Sequence, residues 1–522
     1  MLWVLLLAVA CRKDADPPAA KAVLPPPPAP EIAKAVRAAR PVIFVGIEAA
    51  DWELLDGFMA SGVMPNLNAL AREGRTGELA PVYPAVPPLV WTTMMTGVSP
   101  LEHRILDLGA ASGERQVPAV WNMASEGGKS AAVFGMPATW PAEPIRGLIV
   151  ADRPESVYPP EQEAWARETL AEPDRPEGEE PDPLAAVRSW HALATSWLGR
   201  EKSDLVALYF PGPVLGEDGN PDAYFAEIDH LLGDYRKLAE SRGAVLMIAS
   251  GHGLRSRKGR PTDGIYLLWG PDVEKSANRD HGEAAQVAPT LLALLGLPPG
   301  RGLNGPPLSG VESPDTPPAD YRAHFRPGTA TPETTRTAGS YNNEGLLRRE
   351  RGETDAAAQA YEEALKIDPK NASALWNLSD LLHSGHRDLD RSDELLIQSL
   401  DAGLPEGVDN AMGRTVAYAR GGDAPRGLKL LDRALVARPK EPRLHLLRGR
   451  YRLERRQCEK ALGDFESAAR FDPKNALAFA SMGIAQLCVG DGDGATQSFR
   501  RSLRIDPNQP EIRRALRQAG AR

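Results

Sequence analysis

Residue types able to do chemistry are sparse in this chain, and their surroundings argue mostly for structural roles. Thiolates bind zinc and attack electrophiles, yet Cys11, Cys458 and Cys488 form no C-x-x-C pair and no Cys/His cluster with zinc-ligand spacing, and three cannot make a disulfide framework. Cys458 and Cys488 fall within repeat helices and read as small buried apolar residues. Adjacent carboxylate and imidazole groups, suited to metal ligation or proton transfer, occur at Asp229-His230 and Asp280-His281. Asp51, Asp229 and His230 lie in helical stretches and read as structural or solvent-facing. His103, after a Gly-Val-Ser-Pro turn, reads as structural too. Asp280-His281-Gly282 precedes the helix-like segment Ala284 to Leu295, where an aspartate at a helix approach and a surface histidine are the plain reading. The stretch Pro84 to Gly97, PAVPPLVWTTMMTG, offers the hydroxyls of Thr92 and Thr93, but Gly77 to Trp91 holds no Ser or Thr and only the phenol of Tyr83. The glycine-rich run Gly490 to Gly494 sits between two repeat helices, which makes it a turn rather than a phosphate loop.

The elements that must position these groups follow from composition and pattern. With 522 residues, 42% hydrophobic and 25% charged, the chain has room for two or three domains with sizeable cores. Its net charge of −9 is unevenly shared: residues 341–522 hold 30 Lys+Arg against 27 Asp+Glu, residues 1–340 hold 31 against 43, and neither half is basic enough to suggest nucleic acid. From Pro41 to about Pro307, short β-rich runs (Val42 to Ile47, Ser130 to Met136, Leu148 to Ala151, Leu205 to Phe210, Ala244 to Ala249, Ile265 to Trp269) alternate with helix-like stretches (Pro65 to Glu73, Leu184 to Leu198, Asp222 to Ser241, Ala284 to Leu295). This alternation predicts a mostly parallel sheet covered by helices on both faces. The acidic stretch Ala171 to Pro183 reads as a solvated loop.

Beyond a second Pro- and Thr-rich linker the chain repeats itself. Pro405, Pro439, Pro473 and Pro507 are 34 residues apart, and Pro369 lies 36 before Pro405. That is the period of the tetratricopeptide repeat, two antiparallel helices per unit. Gly345 and Tyr361, Gly449 and Phe465, and Gly483 and Phe499 keep a small residue and an aromatic at matching places, so that helices approach closely and a ring fills the groove. The units ending at Pro405 and Pro439 are degenerate. We therefore expect domains at 1–11 (signal peptide), 12–40 (linker), 41–310 (α/β), 311–337 (linker) and 338–522 (about five repeats and a closing helix).

The α/β region resembles the type I phosphodiesterase and nucleotide pyrophosphatase branch of the alkaline phosphatase superfamily. The resemblance rests on an ordered set of stretches: VIFVGIEAADWELLD, MPNLNALAREG, VPPLVWTTMMTGVSPLEHRILDL, VPAVWNMASEGGKSAAVFGMPATWP, LMIASGHG, GIYLLWGP and VAPTLLALLGLP. It implies an α/β sandwich of alkaline phosphatase type, two zinc-like ions held by Asp and His, and a Thr or Ser nucleophile at a helix N-terminus, where free amides favour a phosphate. Carried over by position, most of that constellation is missing. Glu48 stands for the first aspartate, in Gly46-Ile47-Glu48-Ala49 where Gly-Leu-Asp-Gly is usual. Pro87 occupies the nucleophile position and has no hydroxyl. Thr92 and Thr93 match a helical Thr-Ser pair with a packing role. Val214 and Asp218 fall at the next Asp and His, Gly251-His252-Gly253 replaces Asp-His-Gly, and Gly259-Arg260-Pro261 replaces His-Arg-Pro. Glu48 and His252 are thus the surviving metal candidates, with Asp218 an altered third, too few for two metals.

At the start, MLWVLLLAVAC is an apolar run half the length of a spanning helix, and reads as a signal peptide. Its end, Ala8-Val9-Ala10-Cys11, resembles a bacterial lipobox, which implies lipid attachment to Cys11; a plain signal peptide is the other reading. The Ala/Pro-rich residues after it would space the protein from a membrane surface. The expectation is a cell-envelope lipoprotein, membrane-anchored or periplasmic, whose first domain is a pseudoenzyme without cofactor and whose repeats bind a protein or peptide, not nucleic acid. The alternative is a metal-dependent phosphodiesterase or phosphatase-like hydrolase with a rebuilt site, in which zinc or another divalent metal on Glu48 and His252 activates water. A third reading keeps phosphate or glycan-like binding without turnover.

Overall fold

The computed structural model describes residues 39–170, 184–213, 221–254, 256–257, 260–276, 278–328 and 336–519. The expected signal segment with Cys11, most of the first linker, residues 171–183, Val214, Asp218 and Gly259 lie outside the described residues.

The strands in chain order are β1 (Val42–Ile47), β2 (Arg75–Ala80), β3 (Ala131–Phe134), β4 (Gly147–Val150), β5 (Val157–Tyr158), β6 (Leu205–Phe210), β7 (Val245–Ser250), β8 (Ser256–Arg257), β9 (Arg260–Pro261), β10 (Gly264–Trp269) and β11 (Asp280–Glu283). Nine of them form one sheet in the order β11-β2-β10-β7-β1-β6-β3-β4-β5, and β8 and β9 form a separate hairpin. Pairing is parallel through the centre and antiparallel where β10 meets β7 and β2 and where β4 meets β5. The helices of this domain are α1 (Trp52–Ser61), α2 (Pro65–Glu73), α3 (Pro87–Thr96), α4 (Pro100–His103), α5 (Val120–Glu126), α6 (Glu163–Leu170), α7 (Ala185–Arg200), α8 (Asp222–Arg242) and α9 (Val287–Leu294).

The central strands are buried on both faces, which is why they stand out in the sequence as unbroken apolar runs. Their period of two divides them between two cores. Ile43, Val45 and Ile47 face the core built with α1, α2, α7 and α8, whereas Val42 and Phe44 face the one built with α3, α5 and α9. Two aspartates considered above prove to be helix caps. The Asp51 carboxylate accepts from Leu54 N at 2.9 Å at the start of α1, and Asp229 accepts from Asn66 N and Leu67 N at 3.1 and 2.8 Å at the start of α2. His230 is exposed.

Strands β2, β5, β8, β9 and β11 lie outside the β-rich runs named above. β11, Asp-His-Gly-Glu, has no apolar signal and exists because β2 pairs with it in parallel. Asp280 and His281 are therefore strand residues at a sheet edge, not a helix approach. Asp280 pairs with Arg75 at 2.5 Å, and His281, 82% exposed at its side chain, with Glu78 at 3.2 Å.

Residues 336–519 are helical: α10 (Ala338–Glu350), α11 (Thr354–Ile367), α12 (Ala372–Ser384), α13 (Leu389–Asp401), α14 (Gly407–Arg420), α15 (Ala424–Ala437), α16 (Pro442–Glu454), α17 (Cys458–Phe471), α18 (Ala476–Cys488), α19 (Gly492–Ile505) and α20 (Pro510–Ala519). A Cβ at Gly345, Gly449 or Gly483 would lie 2.3, 2.6 or 2.5 Å from the ring of Tyr361, Phe465 or Phe499, so the small-plus-aromatic pairing is a packing requirement. In the degenerate middle units polar contacts do more of the joining. Buried Arg414 donates to Ser392 Oγ at 2.8 Å, Tyr418 OH donates to Asp393 at 2.7 Å, and Arg426 pairs with Asp393 at 2.8 Å.

Two cysteines correct the reading given above. Cys458, the first residue of α17, and Cys488, the last of α18, are joined as a disulfide with Cα atoms 5.7 Å apart, and Cys488 is exposed. Among the described residues no helix is long and apolar enough to cross a membrane.

Candidate functional site

Glu48 follows the last residue of β1, and His252 follows β7 by two residues, so both emerge at the carboxyl end of the sheet. Their loops are tied together: Ala50 N donates to Ser250 Oγ at 3.0 Å, and that hydroxyl donates to His252 O at 2.8 Å. α3 starts beside them. One turn into it, Trp91 Nε1 donates to Glu48 Oε2 at 2.6 Å, and Tyr209 on β6 donates to the same oxygen at 2.9 Å. The other oxygen, Oε1, lies 2.6 Å from His252 Nε2 in an ion pair whose side chains are 9% and 13% exposed. His252 Nδ1 donates to Gly253 O at 2.9 Å. The structure therefore brings together Glu48, His252 and the first turns of α3, and adds Trp91 and Tyr209, which the sequence reading had not singled out.

The electrostatics follow from burial and contact. Burial alone would raise the Glu48 carboxyl, but His252 and the Trp91 and Tyr209 hydrogen bonds outweigh it and hold it below the usual range. Burial would lower His252; the contact with Glu48 and the bond to Gly253 O raise it instead. Both shifts favour the carboxylate–imidazolium form of the pair. Tyr209 is pushed well up by burial and by the Glu48 charge, so it stays a neutral donor.

This arrangement does not fit a zinc-type centre. A metal needs three or four ligand atoms, whereas only Glu48 and His252 converge here among the described residues; His252 Nε2, buried and without a well-directed hydrogen bond, lies 2.6 Å from Glu48 Oε1. Gly251 has no side chain, and Val90 fills the space one would take: a Cβ there would lie 2.2 Å from Val90 Cγ1. Among the described residues no group of three or more His, Cys, Asp or Glu could hold a metal ion. Arg260 is turned to the rim, its guanidinium 5.2 Å from the Tyr83 ring centroid and its NH2 2.5 Å from Glu350.

The start of α3 cannot act as an anion cradle either. Val86 is its N-cap and accepts from Val90 N at 3.0 Å, and Pro87 and Pro88 occupy the first two helical positions. A helix N-terminus binds phosphate through free amide hydrogens, and proline has none. Thr93 is no substitute nucleophile: buried, it donates to Leu89 O at 2.9 Å and accepts from His103 Nε2 at 3.0 Å. His103 Nδ1 in turn accepts from Ile105 N at 3.1 Å, which fixes a neutral ring, and burial together with the Arg115 charge pushes its pKa down to about 3. Thr92 is buried, and its carbonyl accepts from Thr96 Oγ1 at 2.6 Å.

A doubly covered, mostly parallel sheet followed by paired helices defines the class: an α/β domain joined to a helical-repeat solenoid. Residues 42–265 match the family model of type I phosphodiesterase / nucleotide pyrophosphatase, and residues 345–384 and 446–510 match models of the TPR repeat and the tetratricopeptide repeat. The chain carries a phosphodiesterase-type domain of the alkaline phosphatase superfamily followed by tetratricopeptide repeats. Solved structures similar to it include repeat proteins. YrrB, a TPR protein with an unusual peptide-binding site, is 19% identical over 34% of this chain and 91% of that chain, with a TM-score of 0.25. The second TPR domain of human RPAP3, in complex with an HSP70 peptide, is 23% identical over 21% and 92%, with a TM-score of 0.20. A thermophilic TPR protein of Thermus thermophilus is 20% identical over 36% and 100%, with a TM-score of 0.19. At such TM-scores these likenesses bear on nothing further.

Proposed function

We propose that the first domain is a pseudoenzyme and that the protein works as a binding scaffold, its repeats holding a protein or peptide partner. The observation that carries this reading is the Glu48 carboxylate, engaged by Trp91, Tyr209 and His252 beside a helix that opens with two prolines. Phosphoester hydrolysis in this fold needs a nucleophile or an activated water and charge to meet the developing oxyanion; the described residues offer neither. Elemental analysis of the purified protein together with assay of bis(p-nitrophenyl) phosphate under added zinc, manganese or magnesium tests it. We expect less than stoichiometric metal and no turnover. Stoichiometric metal with turnover lost in Glu48→Ala or His252→Ala overturns the reading in favour of a rebuilt hydrolase.

The scaffold reading places the protein at a cell envelope, held to the membrane by lipid on Cys11. Disulfides persist in oxidising compartments, so the bridge between Cys458 and Cys488 supports export. Labelled fatty acid should enter the wild-type protein and not Cys11→Ser; equal labelling of both discards the anchor.

A further inference from the structure

The first repeat is docked on the phosphodiesterase-type domain rather than hung from it. Leu347 of α10 is 7% exposed and belongs to the apolar cluster that includes Trp91 and Leu106 on the α3 side of the sheet. Asn343 Nδ2 donates to Leu106 O at 2.8 Å, and the Thr337 hydroxyl donates to the Asp107 carboxylate. Glu344, buried on the same helix, binds Arg336 and Arg348 and lies 3.9 Å from Arg104. At the far end of α10, Glu350 holds Arg260, which lies over Tyr83.

These contacts differ in weight. The Arg260–Glu350 pair has side chains 59% and 38% exposed, and exposed pairs add little. Leu347 is shielded from water, and Asn343 satisfies a main-chain carbonyl in the loop after α4, so these two hold the junction.

We propose that the phosphodiesterase-type domain is the N-terminal cap of the solenoid. Each stacked repeat covers its neighbour, and the first has no preceding repeat to do so; solenoids require an end unit with an apolar inner and a polar outer face. Here the surface that covers α10 is built by the residue 104–108 loop, placed by α3, α4 and the buried His103–Thr93 hydrogen bond. The cap also sets the orientation of the solenoid on the first domain, because α10 packs with the core of that domain.

Amide hydrogen exchange on the full-length chain tests this. In Asn343→Ala/Leu347→Ala, peptides from α10 and from residues 104–108 should both exchange at least 10-fold faster, while α18 and α19 stay as in wild type, and Leu347→Met should keep both protected. Unchanged exchange in α10, or faster exchange in α10 with residues 104–108 unaffected, overturns the cap. If α18 and α19 loosen as well, Asn343→Ala alone is read with the same two peptides. It removes one hydrogen bond and no apolar packing, and exchange unchanged in either peptide there also overturns it.

Discussion

Glu48 Oε1 and His252 Nε2 face each other across 2.6 Å, carboxylate to imidazole. Removing one member of a buried ion pair leaves an uncompensated charge, which costs roughly 3–5 kcal/mol. Glu48→Gln and His252→Gln should each destabilise the protein, and the double variant should lose less than the sum. Denaturant unfolding of the four proteins measures the coupling, and strict additivity would show that the contact is not energetically real.

The same pair sets a pH window. A lowered carboxyl stabilises the fold above its unfolded value of 4.5, and that contribution is lost as pH falls through the lower folded value. A raised histidine stabilises below its unfolded value of 6.5, and its contribution is lost as pH rises through the higher folded value. The stability difference between wild type and the double variant should therefore be greatest between pH 4.5 and 6.5 and shrink on both sides.

His103 acts with the opposite sign. It is neutral in the fold with a pKa of about 3, while the unfolded chain binds a proton near 6.5, so stability drains away as pH falls between those values. The loss should approach about 1.4 kcal/mol per pH unit. His103→Gln should be less stable at pH 7 yet flatter between pH 6 and 4; parallel pH profiles would contradict the neutral, buried ring.

Putting single family residues back should not restore a hydrolase. Pro87→Thr supplies a hydroxyl but no metal, and Gly251→Asp drives a side chain into Val90, whose Cγ1 would be 2.2 Å from the new Cβ. We expect Gly251→Asp to cost about 1–3 kcal/mol by overpacking and Val90→Ala to recover part of it. Neither Pro87→Thr nor the triple combination should cleave bis(p-nitrophenyl) phosphate above background. Thermal unfolding and that assay decide both points.

The disulfide makes a separate prediction for the repeats. Closing a loop with a sequence separation of 30 stabilises by about 3–4 kcal/mol in the chain-entropy account. Cys458→Ser/Cys488→Ser should lower the melting temperature of the solenoid, and peptide mapping without reductant should find the 458–488 cross-link. Two free thiols in protein from an oxidising compartment would refute it.

Much of the architecture was legible because it is written in local pattern. β1, β6 and β7 are apolar on both faces, and the repeats announce themselves by a 34-residue period of small residue, aromatic and proline. Strands such as β11 were not, since Asp-His-Gly-Glu is a strand only because Arg75–Ala80 lies alongside it. The disulfide was hidden for the same reason: it joins the start of one helix to the end of another in the next unit.

At the site, residue identities are legible without the fold. Pro87 has no hydroxyl and Gly251 no carboxylate in any fold. The partners of Glu48 and His252 are not legible without it, because a site depends on where side chains from distant parts of the chain converge. Trp91 comes from α3, Tyr209 from β6 and His252 from the loop after β7, and their meeting at Glu48 is a product of strand order rather than of any spacing along the chain.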